Sequence, residues 1–471
     1  MRVAIIATDT HPTRLPGAEP SIMQSGVPEL IAGLCPPSAT VELINEKDGP
    51  VPLDGDWDLV FFSYLHAYYE HTKVLSALLR RRGVRTVAGG RHAGHFVEDA
   101  LQHFDAVVTG EPERAVPAVF ADLERGQLQR VYRGGEGPAD EIRPYRYDLI
   151  DRSRSRFRLP GVEASRGCPF TCNFCVLTGH ERYRTRPIPE VIRDVTERMT
   201  WNKALFGIMD RVFIFYDNNL GGNKTYLRSL CEALRPHKLI WGCSLTFNIL
   251  KDTELIRLMA AAGCRYIYPG LESLNPESID AMNKGQNKLG EVEQAIHGAA
   301  KLGVLVSFGL LVGTDGDTNA YLERLPELLL NLRFFSVTFV GIVCPYPETP
   351  MFAEVQREGR LLPGTISRDY DGYTVCHHPK HLHPTEVAEH YQRICRAVGS
   401  WQNVGRHWAD KLFESDLPRY NSTIAISGLE IGSVKRALAN PARTYIAGQD
   451  RIEAWDAAQM AALNIEPQRL S

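Results

Sequence analysis

The sequence predicts an α/β protein: two parallel sheets in series, then a mainly helical C-terminal region. Three observations carry that expectation. Before residue 130, five short apolar runs, nearly unbroken by polar residues, are separated by helix-length segments, as expected for strands buried on both faces of a doubly wound sheet. Between residues 162 and 345, six strand-like runs alternate with amphipathic segments, which implies a second parallel sheet with sites at the carboxyl ends of its strands. Past Pro350 the spacing is helical, most clearly from Pro384 to Val398.

In the first unit, residues 1–130, the strands are RVAIIAT, ATVELIN, DLVFFSYL, VRTVAGG and FDAVVTG, with a helix expected over Thr72 to Arg82. No G-x-G-x-x-G follows the first strand, so a dinucleotide is not expected. Residues 131–160 are rich in Gly, Pro and Arg without clear periodicity and read as a linker. The basic cluster Arg152 to Arg158 is either a solvated surface or an anion clamp. In the second unit, residues 161–350, strands are expected at Val162 to Ser165, 212–219, 240–245, 264–273, 305–313 and 336–345. The helices Lys251 to Ala262 and Glu291 to Lys301 each stop before a glycine, Gly263 and Gly303. Residues 351–471 are expected to cover the open end of that unit and shape a substrate pocket. His377, His378, His381 and His383 lack regular ligand spacing and are expected at the surface or facing substrate.

Composition excludes several classes. The 471 residues are 44% hydrophobic, with 53 basic against 56 acidic residues, so no broad basic face suggests a nucleic-acid partner. No run approaches the roughly 20 apolar residues that cross a bilayer. The opening MRVAIIATDTHP turns polar too soon for a secretory signal, and a cytoplasmic location is expected. Seven of the ten cysteines are scattered in apolar contexts, as buried thiols of a reducing compartment would be.

The other three, Cys168, Cys172 and Cys175, lie in GCPFTCNFC. Zinc in a structural site takes four protein ligands, whereas this loop offers three, with His180 five residues further on. An iron–sulfur cluster held by three thiolates leaves one iron open to a small molecule. With Phe174 before the last cysteine and a strand before the loop, C-x3-C-x2-C resembles the signature of radical S-adenosylmethionine (radical SAM) enzymes. That resemblance implies a partial (β/α)6 barrel and a 4Fe-4S cluster. It implies S-adenosylmethionine on the open iron, cleaved on reduction to a 5′-deoxyadenosyl radical, and an electron donor such as flavodoxin or ferredoxin. Polar residues end several strands: Asp217, Asn218 and Asn219; Ser244, Thr246 and Asn248; Glu272 and Ser273. Singly, each is also an ordinary turn residue. The resemblance implies that Phe174, Ser244, Glu272 and Lys284 seat S-adenosylmethionine, Lys284 pairing with its carboxylate. Gly309 to Gly313 resembles the family's G-x-I-x-G segment and would bring Val312 to the adenine. Gly316, between Asp315 and Asp317, stands where that pattern has an acid.

The first unit resembles the Rossmann-like cobalamin-binding domain. Asp9-Thr10-His11 is similar to the start of D-x-H-x-x-G, with Arg14 in the glycine place; Ser63-Tyr64-Leu65 is similar to S-x-L, and Gly89-Gly90 to G-G. GGRHAGHFVEDAL and the Gly110-Glu111-Pro112-Glu113 run resemble the G-G-x-H and G-E-x-E patterns of cobalamin-dependent radical enzymes. Pro345 to Pro350 resembles the P-x-P-G-T-P segment that ends their barrel, with Glu348 in the glycine place. The two resemblances together imply a methyltransferase acting on an unactivated carbon of a small-molecule substrate. Cobalamin-dependent cyclisation, ring contraction or oxidation without net methyl transfer is one alternative; a non-catalytic cobalamin sensor with a structural cluster is another.

Overall fold

The computed structural model describes residues 1–8, 26–137, 145–150, 161–179, 181–201, 211–287, 291–332, 335–400, 445–448 and 452–470. Asp9, His11, His180 and the cluster Arg152 to Arg158 lie outside them.

The first sheet is parallel throughout, in the order β2 (Thr40–Asn45), β1 (Arg2–Ala7), β3 (Leu59–Ser63), β4 (Arg85–Gly89), β5 (Ala106–Gly110), β6 (Val131–Gly135). Strand alternation divides its core in two. Val3, Ile5, Phe61 and Val87 pack with α1 (Val27–Leu34) and α5 (Pro112–Glu124) on one face. Ala4, Ile6, Phe62 and Ala88 pack with α2 (Tyr69–Arg81) and α4 (Val97–His103) on the other. Both faces being covered is why these strands read as unbroken apolar runs. The expected linker begins too early, because residues 131–135 are the edge strand β6, registered against β5 with Tyr132 buried and Arg133 exposed.

The second sheet is also parallel, in the order β7 (Gly161–Val162), β10 (Val212–Phe215), β11 (Ile240–Thr246), β12 (Cys264–Gly270), β13 (Leu305–Val312), β14 (Phe335–Ile342). A short hairpin of β8 (Ser165–Arg166) and β9 (Arg184–Thr185) follows β7. Trp241, Cys243 and Leu245 of β11 belong to the core shared with the outer helices α7 (Lys224–Leu234) and α8 (Thr253–Ala261). By alternation Gly242, Ser244 and Thr246 therefore face the inside of the curved sheet. Gly263 and Gly303 have φ of 97° and 74°, the left-handed residues that end α8 and α10 (Val292–Lys301).

The described parts of the C-terminal region pack against both units. Helix α13 (Pro384–Val398) packs on the outside of β14, where the Tyr391 hydroxyl donates to the Val340 carbonyl at 2.9 Å. The last helix, Ala454–Leu463, docks on α2 of the first unit. There His71 lies between Glu46 and Asp456 at 2.8 and 2.7 Å, Lys73 donates to the Glu466 carbonyl at 2.8 Å, and Glu70 accepts from Ser367 and the Gln468 amide. Residues 401–444 lie outside the described ones. The histidine tract is not a surface feature as a whole. His377 is buried, and burial pushes its ring down to about 4; His383 caps α13 by accepting from the Thr385 amide.

Burial opposes charge on His71, but its hydrogen bonds to Asp456 and Glu46 outweigh burial and raise it from 6.5 to about 10. A pKa raised in the folded state gives stability that is full below the unfolded value and is lost as pH rises through the folded one. Amide exchange in residues 454–463 is therefore expected to accelerate as pH climbs through about 10 after correction for intrinsic rates, and His71→Gln is expected to abolish that pH step and cost about 2–4 kcal/mol.

Candidate active site

The two sheets meet carboxyl edge to carboxyl edge. Beyond β3, His66 contacts Glu348 of the loop after β14, Nε2 to Oε2 2.8 Å, with both side chains buried. Beyond β4, Arg91 donates to the Val176 carbonyl at 3.0 Å and pairs with Glu181. Beyond β5, Glu111 pairs with Arg184 of β9 and lies 3.4 Å from Arg166 of β8. Arg166 also reaches Glu113 at 2.8 Å and Glu163 at 2.9 Å. In parallel sheets these edges are where loops gather and ligands bind.

The cysteine loop sits at this junction, two residues past Arg166. Its turns are closed by Cys175 N to Cys172 O (3.1 Å), Thr178 N to Cys175 O (3.1 Å) and the Thr178 hydroxyl to Cys172 O (2.7 Å). Asn173 and Asn283 tie it to the end of α9 (Pro276–Ala281) and the turn after it: Asn173 donates to the Ala281 carbonyl at 2.8 Å, and Asn283 to the Thr171 carbonyl at 2.7 Å. All three thiols are free of disulfides. Asn219 approaches Cys168 Sγ and Gln286 approaches Cys172 Sγ, each at 3.5 Å with an amide N–H. Such donors favour sulfur carrying negative charge. Burial pushes the Cys172 and Cys175 thiols up, and Lys284 pulls Cys172 back; a bound cation displaces such protons. Among the described residues no three His, Cys, Asp or Glu side chains converge on a single ion, these thiols included. A cuboidal cluster instead takes one iron per thiolate, and the donor set fits it.

Lys284 and Glu272 form a mostly buried pair, Nζ to Oε1 2.6 Å, with the ammonium 5.5 Å from the centre of the Phe174 ring. Burial works against the Lys284 charge, yet Glu272 and Cys172 hold its pKa above the ordinary value. Glu272 has φ of 69°, a left-handed conformation that costs a non-glycine residue about 1–2 kcal/mol. The Glu272 carbonyl accepts from Leu311 N at 2.9 Å, which fixes that backbone against β13. Gly270 makes room for the pair: a Cβ there would lie 2.8 Å from Glu272 Oε1 and 2.9 Å from Lys284 Nζ. Phe174, Glu272 and Lys284 thus gather at the cysteine loop. Ser244 is on the inner face of the sheet and has no side-chain hydrogen bond among the described residues. The Val312 side chain is fully buried in the outer core, so strand alternation leaves only its backbone for a ligand. Asp317, which the sequence pattern gave no role, takes the Gly313 and Thr314 amides at 2.9 and 3.0 Å. Gly316 is required because a Cβ would strike Glu277 and Ser278 at 2.4 Å.

The residues expected at cobalamin divide between two places. Ser63 and Gly89 follow Phe61 and Val87 by two, so they share the sheet face covered by α1 and α5. Ser63 makes no side-chain hydrogen bond among the described residues, and a Cβ at Gly89 would meet nothing closer than 3.9 Å. Gly90 has φ of 101° and lies against the Tyr64 carbonyl, 2.7 Å from where a Cβ would be. Leu65, at 57% exposure, is a large apolar side chain left open at that edge. Tyr64 points the other way, stacked on Tyr69 and Phe104. Gly110, with φ of 74°, closes on Gly135 of β6. Two guanidinium groups and the Gly137 amide at 3.0 Å engage the Glu111 carboxylate, so Glu111 joins the two units.

Asp217 also has a structural task. It accepts from Ala164 N at 3.0 Å and from the Ser165 hydroxyl at 2.5 Å, fixing the strand end that launches the cysteine loop. The residues that sequence reasoning missed are Arg91, Arg166, Arg184 and His66; the only sequence signal for the first and last is their place directly after G-G and S-x-L.

Residues 162–329 match the model of the Radical SAM superfamily. Over 361 residues the chain is 27% identical to bacteriochlorophyllide d C-8(2)-methyltransferase of Chlorobaculum tepidum, covering 74% of this chain and 78% of that protein. Its fold is similar to that of the cobalamin-dependent S-adenosylmethionine radical enzyme OxsB, solved with aqua-cobalamin and S-adenosylmethionine bound (TM-score 0.67, 13% identity, 92% of this chain and 71% of that one). It is also similar to the radical S-adenosylmethionine methyltransferase TsrM of Kitasatospora setae, solved with tryptophan and an S-adenosylmethionine analogue (TM-score 0.67, 15% identity, 94% and 98%). Among the described residues no helix is long and apolar enough to cross a membrane.

Two outcomes follow from this geometry. Glu111→Gln is expected to lower unfolding free energy by about 2–3 kcal/mol in denaturant titrations, because it strands partly buried guanidinium groups; Glu136→Gln, paired with an Arg182 that is 86% exposed, is expected to cost under about 1 kcal/mol. Burial raises Asp217 from 3.8 to about 7, against the opposing hydrogen bonds from Ser165 and Ala164. Its favourable contribution is therefore full below the unfolded value and fades as pH rises through about 7. Asp217→Asn cannot ionise, so its stability relative to wild type is expected to rise between about pH 5 and about pH 8, read as the difference in urea midpoints.

Proposed function

We propose that this chain, which belongs to the radical SAM superfamily, is a cobalamin-dependent methyltransferase that adds a methyl group to an unactivated carbon of a small molecule. The observation that carries the reading is the apposition of the cysteine loop with the Ser63, Gly89 and Gly90 edge of the first sheet. Arg91, one residue past Gly90, touches Val176, one residue past Cys175. The relative named for bacteriochlorophyllide supports methyl transfer to carbon, and the OxsB likeness supports cobalamin in the first unit.

Cys168, Cys172 and Cys175 would hold a 4Fe-4S cluster, and Ser63, Leu65, Gly89 and Gly90 would seat cobalamin. When bound, the cluster with S-adenosylmethionine supplies hydrogen-atom abstraction and the corrin supplies the methyl carrier, which is chemistry no side chain here can perform. What the chain's own residues contribute is position and charge. Asn219 and Gln286 present N–H groups to two of the sulfurs. Lys284 keeps a cation beside Cys172, held in place by Glu272, where an incoming carboxylate gains from it. Gly270 leaves that pair undisturbed. The buried His66–Glu348 contact closes the two units on one another. A one-electron donor of the flavodoxin or ferredoxin class would serve the cluster.

Anaerobically reconstituted protein, given dithionite and S-adenosylmethionine, is expected to form 5′-deoxyadenosine, and Cys172→Ala to drop it to background. With its substrate present the product is expected to gain one methylene in mass. Undiminished cleavage by the cysteine variant, or a product of unchanged carbon count, would contradict this reading.

A further inference from the structure

The contact between Arg91 and the cysteine loop points beyond cofactor seating. We propose that Arg91 is a positioning residue through which occupancy of the first unit sets the conformation of the cysteine loop; the proposal rests on the cobalamin reading. Three features of the structure carry it.

The corner that bears Arg91 is stiff. Gly90 has φ of 101°, and its missing side chain would stand 2.7 Å from the Tyr64 carbonyl and 3.4 Å from the Tyr64 amide. The turn after β4 is thus pressed onto the end of β3, which places Gly89 to Arg91 directly against Ser63 to Leu65. A ligand bearing on this edge displaces or steadies Arg91 within a residue or two.

The guanidinium holds both ends of one turn. Its Nη1 donates to the Val176 carbonyl at 3.0 Å, and its Nη2 pairs with Glu181. Inside that turn, Thr178 donates to both Cys172 and Cys175 carbonyls, and Glu181 N donates to Leu177 O at 3.3 Å. A planar fork spanning two acceptors transmits orientation as well as charge; a lysine ammonium does not.

The two flanks of the loop are held differently. On the upstream side, Arg166 and Glu111 are 11% and 15% exposed, with Arg184, Glu113 and Glu163 around them. On the downstream side, Arg91 and Glu181 are 28% and 26% exposed and form a single pair. The first anchor is a deeply seated cluster of five charged groups; the second is one more exposed arginine with two acceptors. Strand ends β4 and β5 therefore grip opposite sides of the cluster ligands, and the more exposed grip adjoins Gly89-Gly90.

The test uses the full chain, reconstituted anaerobically with iron and sulfide, with hydroxocobalamin as the probe. Amide exchange at Cys175, Thr178 and Glu181 is compared with and without it. Several-fold slowing is expected in wild type, little or none in Arg91→Gln, and an intermediate effect in Arg91→Lys, while iron content and hydroxocobalamin absorption match wild type. Glu181→Gln is expected to weaken the coupling in the same way, so a folding defect peculiar to one variant does not decide the outcome. A purely structural Arg91 would speed exchange equally in both states and preserve the ratio, which would overturn the proposal. Equal slowing in Arg91→Gln, or no slowing in wild type that has taken up hydroxocobalamin, would overturn it too. A wild-type chain that takes up no hydroxocobalamin would instead overturn the reading on which the proposal rests.

Discussion

Arg166 meets Glu111 and Glu113 from one sheet and Glu163 from its own, and the cysteine loop begins two residues later. The parallel arrangement makes this contact decisive. Strand–helix repeats put every receptive loop on the carboxyl edge of a sheet, so a site drawing on both sheets exists only if the two edges are held face to face. Hydrophobic burial alone would not fix that relation, since apolar faces slide at little cost. Charged groups that lose partners when displaced fix it more sharply, even where their net stabilisation is modest.

The electrostatics at the junction are ordered by depth. Well-buried Asp217 serves the backbone that launches the loop. Nearer the thiols, Lys284 and Glu272 offset each other, leaving a cation close to Cys172 without a large net charge. The amides of Asn219 and Gln286 present N–H groups to sulfur that carries negative charge, opposing the burial that pushes the Cys172 and Cys175 thiols up. On the facing edge the charge is already committed to holding the units together, and what stays open is a half-buried serine, two glycines and an exposed leucine. That contrast suits a polar, anionic ligand set on one side and a large, largely apolar macrocycle on the other.

Much of this was legible in the sequence because it depends on local pattern. Unbroken apolar runs gave the strands of both sheets, Gly263 and Gly303 marked helix ends by their need for positive φ, and the spacing of three cysteines singled out the loop. What escaped is long-range or masked by composition. Two glycines hid β6, though Tyr132 and Arg133 carry the alternation of an edge strand. The Glu111–Arg184 pair joins residues 73 positions apart and His71–Asp456 residues 385 apart, and no periodicity encodes such partners. The motif around Glu111 does not contain Arg166 and Arg184, the arginines that its carboxylate pairs with. The G-x-x-x-G segment singled out Val312 but not that strand alternation turns its side chain into the core and leaves its backbone toward the site.

Three thiolates at Cys168, Cys172 and Cys175 would leave one iron of a 4Fe-4S cluster free for S-adenosylmethionine. Electron–nuclear double resonance on the one-electron-reduced, reconstituted protein, with S-adenosylmethionine carrying nitrogen-15 in its amine, tests this directly. Hyperfine coupling of that nitrogen to the cluster is expected. A cluster signal with no nitrogen coupling, or a loop loaded with zinc and giving no cluster signal, would contradict it.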